Sequence, residues 1–305
     1  MEQRKRRFGD RKDGWRLRGI APYDTVSPYI MVERNDASNF FADRFDIEEA
    51  ERFIREKRNQ GLKTFGIMHV IIAAYVRTIS QKPYLNRFLS GQKVYARNSI
   101  QVNMAVKRTM TRAETDTVIK VFFEPTDTAV DVYNKMTEVL NRTFNTSATD
   151  FDDTARFINY IPGLLKKFAV HFLKTLDYFG LLPKKLLNVS PFHGSMFITS
   201  MGSLGIPPIF HHLYNFGNVP VFISFGAKYT ENQIDDDGRV VKKKFIDFKV
   251  VTDERICDGF SYATGLRALR RYLSNPSLLN NPPKEVIPDP DIDKRVKKKE
   301  NASDS

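Results

Sequence analysis

Hydrophobic positions in the first third of the chain recur every three or four residues, the spacing of amphipathic helices. One helix is predicted to open at Asp46, whose carboxylate suits a helix N-terminus. A second, more apolar helix is predicted over residues 64–80, and Pro83 ends it because proline cannot continue the backbone hydrogen bonding. Two more helices are predicted over residues 131–140 and 261–273.

Alternating or continuous apolar runs, bounded by turn residues, predict the strands. The first is a short run at residues 29–32, and the turn 235–238 separates the last two strands. The other predicted strands are 93–95, 100–106, 118–123, 195–200, 220–226 and 244–251. The last third of the chain is therefore rich in strands.

Residues 157–187 combine many Leu, Phe and Ile residues with interspersed lysines. Two structures are open for this segment. Breaks at Pro162 and Gly180 favour a helical hairpin packed on the sheet or over a substrate channel. Lysines interleaved with Leu and Phe are also typical of an amphipathic element that makes peripheral contact with a membrane surface.

The chain is basic, with 48 Lys and Arg against 36 Asp and Glu and a net charge of +12. Such a balance suits a polyanionic partner: a phosphate-bearing ligand, a nucleic acid or an anionic membrane. Basic runs open the chain at residues 4–7 and 11–12 and close it at residues 294–299. Residues 1–18 are predicted to be a basic flexible arm and residues 281–305 a disordered charged tail. No nucleic-acid-binding module is recognisable, so no nucleic-acid partner is expected.

Cys257 is the one cysteine, so an intrachain disulfide is excluded and a reducing compartment is favoured. It is expected to be a small buried residue and not a nucleophile. The N-terminus lacks the apolar region of a signal peptide, and no apolar run is long enough to span a bilayer. We therefore expect a soluble cytoplasmic protein.

The most informative motif is Thr-Asp-Glu-Arg-Ile-Cys-Asp-Gly-Phe at residues 252–260. It resembles the signature of the coenzyme A-dependent acyltransferases, in which a His, three residues and Asp-Gly follow one another. Asp253 and Arg255 match the catalytic domains of dihydrolipoyl acyltransferases from 2-oxoacid dehydrogenase complexes. Residues 257–260 match the chloramphenicol acetyltransferases, and Glu254 stands where both groups have the catalytic His.

Several other segments carry the same resemblance in the same order. Residues 194–205 resemble the family's hydroxyl-bearing strand and turn, with Thr199 at the position of the hydroxyl. Weaker likenesses at 83–86, 100–106, 221–226 and 249–253 extend it over most of residues 20–280. The resemblance implies an α/β fold, a chloramphenicol acetyltransferase-like sandwich with a mixed β-sheet flanked by helices, over residues 19–280. A helical insertion at about 150–189 has no counterpart in the family.

The resemblance also implies roles for individual residues. In the family, the His removes the proton of a thiol, and a Ser or Thr hydroxyl donates to the oxyanion, the role that falls to Thr199 here. Glu254 would need a raised pKa to act as that base, because a free Glu has a pKa of about 4.3; the alternative is that it pairs with Arg255 or another cation and does no chemistry. His211 and His212 follow the hydroxyl strand, where the family lines its acceptor pocket, so either one is a candidate substitute base.

Asp258, Gly259 and Arg255 are expected to structure the loop, with Asp258 paired to an Arg. Adjacent His residues seldom converge on one ion, so no metal is expected. The resemblance implies a homotrimer with sites between subunits, coenzyme A or acyl-coenzyme A as co-substrate, and a small-molecule acyl donor and acceptor. No lipoyl-bearing or subunit-binding domain is recognisable, so no covalent lipoyl group is expected.

Two functions are open at this point. The first is an acyl-coenzyme A-dependent acyltransferase that uses Glu254 or a substitute His. The second is a non-catalytic homologue with an assembly, regulatory or membrane-surface role, since the family His is replaced.

Overall fold

The computed structural model describes residues 4–107, 117–145 and 159–294. The start of the predicted insertion and the last residues of the predicted tail lie outside these ranges. The strands are β1 (Gly14–Arg16), β2 (Ser38–Asp46), β3 (Arg87–Ser90), β4 (Lys93–Arg97), β5 (Ile100–Val106), β6 (Thr117–Phe123), β7 (Met196–Ser200), β8 (Val221–Phe225), β9 (Tyr229–Ile234) and β10 (Val240–Asp253). The helices are α1 (Pro22–Ile30), α2 (Glu48–Asn59), α3 (Ile67–Gln81), α4 (Ala129–Asn145), α5 (Gly163–Tyr178), α6 (Lys184–Val189) and α7 (Gly259–Ser274).

Seven strands form one mixed sheet in the order β2-β10-β8-β7-β5-β6, with β9 paired to the other half of the long strand β10. The pairs β5–β7 and β7–β8 are parallel, and the other pairs are antiparallel. A smaller antiparallel sheet has the order β1-β4-β3. The predicted α/β sandwich, a mixed sheet flanked by helices, is confirmed.

The two faces of the sheet are covered differently. Ile198 and Ile223 are paired on one face, where helices α2, α3, α4 and α7 complete the main core. Phe197 and Phe222 are paired on the opposite face, which the loop 206–219 covers through Leu213. Because side chains alternate between faces along a strand, Thr199 lies on the same face as Phe197, under this loop.

Helix α2 follows the sequence prediction closely. Acidic residues fill its first turn and Lys57 and Arg58 its last, as the helix dipole favours. The apolar run 29–32, by contrast, was predicted as a strand, and this prediction is wrong. Residues up to Ile30 belong to α1, which begins at Pro22, where the fixed proline φ suits a first helical turn.

Buried ion pairs connect residues near both chain ends to the rest of the fold. Arg11 is buried, and its guanidinium donates to Asp13 at 2.9 Å and to Asp177 at 2.7 Å. At the other end, Arg87 donates to both carboxylate oxygens of Asp289 at 2.7 Å. Residues 11 and 289 are therefore each held by a buried ion pair with a residue far away in the chain. The flexible arm and the disordered tail stay predictions.

Gly217 fixes the loop 206–219 on the sheet. Its φ is +84°, and an added Cβ would lie 1.9 Å from the carbonyl oxygen of Phe192. The next residue, Asn218, donates its backbone N–H to that same oxygen at 2.8 Å. A side chain at residue 217 would therefore break the contact that holds the loop.

We expect Gly217→Ala to lower the free energy of unfolding by roughly 3 kcal/mol or more, since the clash adds to the cost of a left-handed backbone. The matched control is Gly238→Ala, at a φ of +78° with no atom within 4 Å of the added Cβ. This control should cost only about 1–2 kcal/mol. Chemical denaturation of both variants measures the difference, and equal losses would contradict the expected clash.

Candidate functional site

Thr199 and His211 lie together on the loop-covered face of the sheet. Thr199 is in β7, one residue before its end, and its Oγ1 is 3.5 Å from His211 Nε2. The His211 ring stacks on Phe222 with ring centroids 4.3 Å apart and an interplanar angle of 15°. The stacking holds the imidazole nearly parallel to a core side chain, with Nε2 directed at the hydroxyl.

The protonation state of His211 suits a base. Burial lowers the pKa of His211 below its usual value of 6.5, and the charge of His212 lowers it further. Near pH 7 the imidazole is therefore mostly neutral, with a nitrogen lone pair available to accept a proton.

His212 is placed differently from its neighbour. It is exposed, and its ring packs edge-on against Tyr214 with centroids 5.1 Å apart. Of the two predicted His candidates, His211 alone is hydrogen-bonded to Thr199. A sequence pattern cannot tell which of the two His residues reaches Thr199, because the path of the loop decides it.

Two residues that the sequence analysis did not identify lie in the same row of the sheet as Thr199. Strand pairing places Ser224 next to Thr199, and Lys249 next to Ser224. Ser224 Oγ accepts the backbone N–H of Ile209 at 3.4 Å, and the Lys249 ammonium lies 4.7 Å from the centre of the Phe210 ring. Both contacts hold the start of the His211 segment, and only strand register reveals them.

The motif that begins at the end of β10 is organised around Asp253. This carboxylate is fully buried; it accepts two hydrogen bonds from Arg255 at 2.8 Å and one from Arg34 at 3.2 Å. Arg255 also donates to the backbone carbonyls of Met31 and Val32. Arg255 therefore connects the end of β10 to the segment that follows α1, and its acidic partner is Asp253.

Glu254 follows as a half-buried residue in a 3-10 turn. Within the described parts of the chain, its side chain makes no hydrogen bond or ion pair, so the alternative of a pairing with Arg255 or another cation is not seen within one chain. Arg255 is already held by Asp253, the buried last residue of β10.

Glu254 and Thr199 are not brought together within one chain. Glu254 lies five residues beyond Lys249, which is two strands away from Thr199 in the same row. Strand geometry separates them by roughly 17 Å along the strands and about 10 Å across them. A site that used both residues would therefore take them from different subunits.

Asp258 and Gly259 begin helix α7. Asp258 accepts the backbone N–H of Ser261 at 2.8 Å as the N-cap, a contact that lowers the pKa of its carboxyl group. In the described residues it makes no ion pair, so the Arg partner implied by the resemblance is not seen within one chain. Burial raises the pKa of Cys257 to about 12, which makes its thiol a poor nucleophile.

Solved structures with the same architecture were compared once this geometry was established. A structure described as a probable dihydrolipoamide acetyltransferase from Listeria monocytogenes is 14% identical, covers 83% of this chain and 88% of its own, and has a TM-score of 0.55. A truncated catalytic core of the 2-oxoacid dehydrogenase multienzyme complex from Thermoplasma acidophilum is 11% identical, with coverages of 83% and 93% and a TM-score of 0.50. The chain has the fold of the coenzyme A-dependent acyltransferases.

The acyltransferase fold predicted from the motifs is thereby confirmed. A chloramphenicol acetyltransferase is 9% identical over 82% of this chain and 94% of its own, with a TM-score of 0.47. No protein-family model matches the sequence, and no curated protein matches it significantly. At these identities the likeness concerns the fold alone.

No group of three or more His, Cys, Asp or Glu residues in the described ranges is arranged to hold a metal ion. The chemistry that the described site offers is proton transfer and hydrogen bonding by His211 and Thr199.

Proposed function

We propose that the protein is a cytoplasmic acyltransferase that moves an acyl group between coenzyme A and a small-molecule acceptor. His211 is the general base and Thr199 is the hydroxyl donor. The observation that supports this proposal is the 3.5 Å approach of His211 Nε2 to Thr199 Oγ1 within an acyltransferase fold.

The proposed reaction begins at the thiol of coenzyme A or at an acceptor group. A thiol with a pKa of about 8.5 is mostly protonated at neutral pH, so a base must remove its proton. His211 takes the proton of the attacking group, the coenzyme A thiol or the acceptor, while that group attacks the acyl carbonyl, and the Thr199 hydroxyl donates to the oxyanion that forms. The bond between the acyl carbon and the leaving group then breaks. The protonated imidazole then returns the proton to the leaving group, which restores neutral His211.

The distance of 3.5 Å is long for a hydrogen bond. Catalytic hydrogen bonds in unliganded enzymes are often long and tighten when substrate binds. The net charge of +12 suits a co-substrate that carries several phosphates.

A homotrimer is part of the proposal, since the family resemblance implies sites between subunits. Glu254 of one chain would then face Thr199 of the next, as an acidic group beside the His211 base. Helix α1 offers a surface for a second copy, because Tyr23, Val26 and Ile30 form an exposed apolar ridge.

A second candidate function is a non-catalytic homologue with an assembly or regulatory role. The observation in its favour is Glu254, which stands where the resembled enzymes have their catalytic His.

An acyl-coenzyme A turnover assay tests the proposal. Thiol release is followed over a panel of acyl donors with thiol, amine and hydroxyl acceptors. We expect wild-type turnover, and a loss of roughly 100- to 1,000-fold in Thr199→Val, the effect of removing one oxyanion donor.

Thr230→Val, at an exposed strand position, is the matched control and should retain wild-type turnover. Equal activity in Thr199→Val and wild type would overturn the role of Thr199. Absence of turnover in wild type, with activity appearing in Glu254→His, would favour the non-catalytic function.

A further inference from the structure

Helix α5 presents an apolar surface to solvent. Leu164 is 87% exposed and Phe168 is 68% exposed, and Phe172 continues the same row at 52%. Spacing of four residues places these three side chains in one line along the helix. Leu165 widens the row, and Phe179 and Leu181 extend it past the end of the helix, all of them exposed.

The helix is attached to the protein at its C-terminal end. Asp177 is the one buried residue of α5, and it binds Arg11 at 2.7 Å and approaches His193 Nε2 at 3.4 Å. Burial by itself would raise the pKa of Asp177, but His193 and Arg11 lower it to about 2. Ion pairs of Asp177 therefore fix this end of the helix. The apolar row of α5 is exposed and does not pack on the sheet, as it would in a hairpin that lies on the sheet.

The charged side chains of α5 are arranged beside the apolar row. Lys167 and Lys174 are exposed and lie along a neighbouring line of the helix, with the exposed His171 between them. The single acidic residue, Asp177, is turned into the core. All the charge that α5 shows to solvent is consequently positive.

We propose that α5 docks on the surface of an anionic lipid bilayer. Its apolar row would enter the headgroup boundary, and Lys167 and Lys174 would contact the anionic headgroups. The helix would lie in the plane of the surface, since no helix in the described ranges is long and apolar enough to cross a membrane. This inference is independent of the acyltransferase activity proposed above.

The charge pattern favours a bilayer over a second copy of the chain. Lysines are depleted from the cores of protein–protein interfaces, but they flank the apolar face of helices that bind membranes. Helix α1 offers a useful contrast, because its exposed apolar ridge contains no Lys or Arg. An apolar surface without cations is the better surface for a protein partner, and α5 has the opposite character.

Vesicle co-sedimentation of the full chain tests the proposal. The vesicles are phosphatidylcholine alone, or phosphatidylcholine and phosphatidylserine in equal parts. We expect binding to the anionic vesicles, weakened by salt. Phe168→Ser with Phe172→Ser should lower binding at least about tenfold, since the buried apolar surface is lost.

Removal of the basic row should weaken binding at about fivefold per lysine, or roughly 25-fold for Lys167→Gln with Lys174→Gln. The matched control is Lys63→Gln with Lys242→Gln, which removes the same charge from exposed positions elsewhere. This control should bind like wild type. Because the changed side chains are exposed, far-ultraviolet circular dichroism should show an unchanged fold in every variant.

Three results would overturn the proposal: no binding of wild type to anionic vesicles, equal weakening in the control pair, or unchanged binding in the Phe168→Ser, Phe172→Ser variant. Analytical ultracentrifugation of that variant tests the alternative that a second copy of the chain covers the α5 surface. If it dissociates into smaller species and still binds vesicles, the α5 surface is a contact between copies of the chain.

Discussion

Replacement of His211 by Ala is expected to lower kcat/KM for acyl transfer by roughly 100- to 10,000-fold, the usual contribution of a positioned general base. The imidazole is stacked on Phe222 with Nε2 3.5 Å from Thr199 Oγ1. Ala removes the base and leaves the strand that carries Thr199 intact. The measurement is steady-state turnover with the best acyl donor and acceptor pair.

His212→Ala is the matched control, because it changes the same residue type one position further along at an exposed site. It should keep turnover close to wild type. If the two variants were equally active, or if Glu254→Gln alone abolished turnover, His211 would not be the base.

The pH profile gives a second readout for the same residue. Burial places the pKa of His211 below 6.5, and the base works only when it is unprotonated. Activity should therefore fall as pH drops through that pKa and should stay level above about 6.5. The acidic limb should disappear from the residual activity of His211→Ala, an effect that a purely structural role would not produce.

Replacement of Asp253 by Asn is expected to lower the free energy of unfolding by about 3–5 kcal/mol, the cost of removing one partner from buried ion pairs. The carboxylate is 0% exposed and lies between the guanidinium groups of Arg34 and Arg255. An amide leaves both cations buried without a counter-charge. Urea denaturation followed by circular dichroism measures the loss.

Glu231→Gln is the control for Asp253→Asn. Glu231 pairs with Arg44 at the surface, where both side chains are more than two-fifths exposed. An exposed pair contributes about 0–1 kcal/mol, so this variant should unfold much like wild type. A loss in Asp253→Asn no larger than in Glu231→Gln would show that the two arginines find other partners.

The position of Asp253 makes its stability relevant to the proposed site. It ends β10 and directly precedes Glu254, and the backbone carbonyl of Asp253 also accepts the hydroxyl of Tyr262 at 2.6 Å. Arg255 connects the same turn to the carbonyls of Met31 and Val32. The turn that carries Glu254 is therefore held from three sides, whatever chemistry Glu254 performs.

The regular elements were largely predictable from local pattern. Helix α2 has one apolar face, and helix α3 is apolar on most sides. Strand β5 alternates apolar and polar residues over most of its length. The exception is the run 29–32, because a short apolar stretch fits a strand and a helix end equally well. Pro22, at the first turn of α1, is a local signal that favours the helix.

By itself the sequence determined the acyltransferase fold and a short set of candidate residues. Each of these depends on residue types at fixed spacing along the chain. Tertiary structure alone decided that Asp253 and not Glu254 pairs with Arg255, that His211 and not His212 meets Thr199, and that the apolar row of α5 faces solvent. These outcomes depend on strand register, on the path of a loop and on contacts between residues far apart in the chain, and no local pattern encodes them.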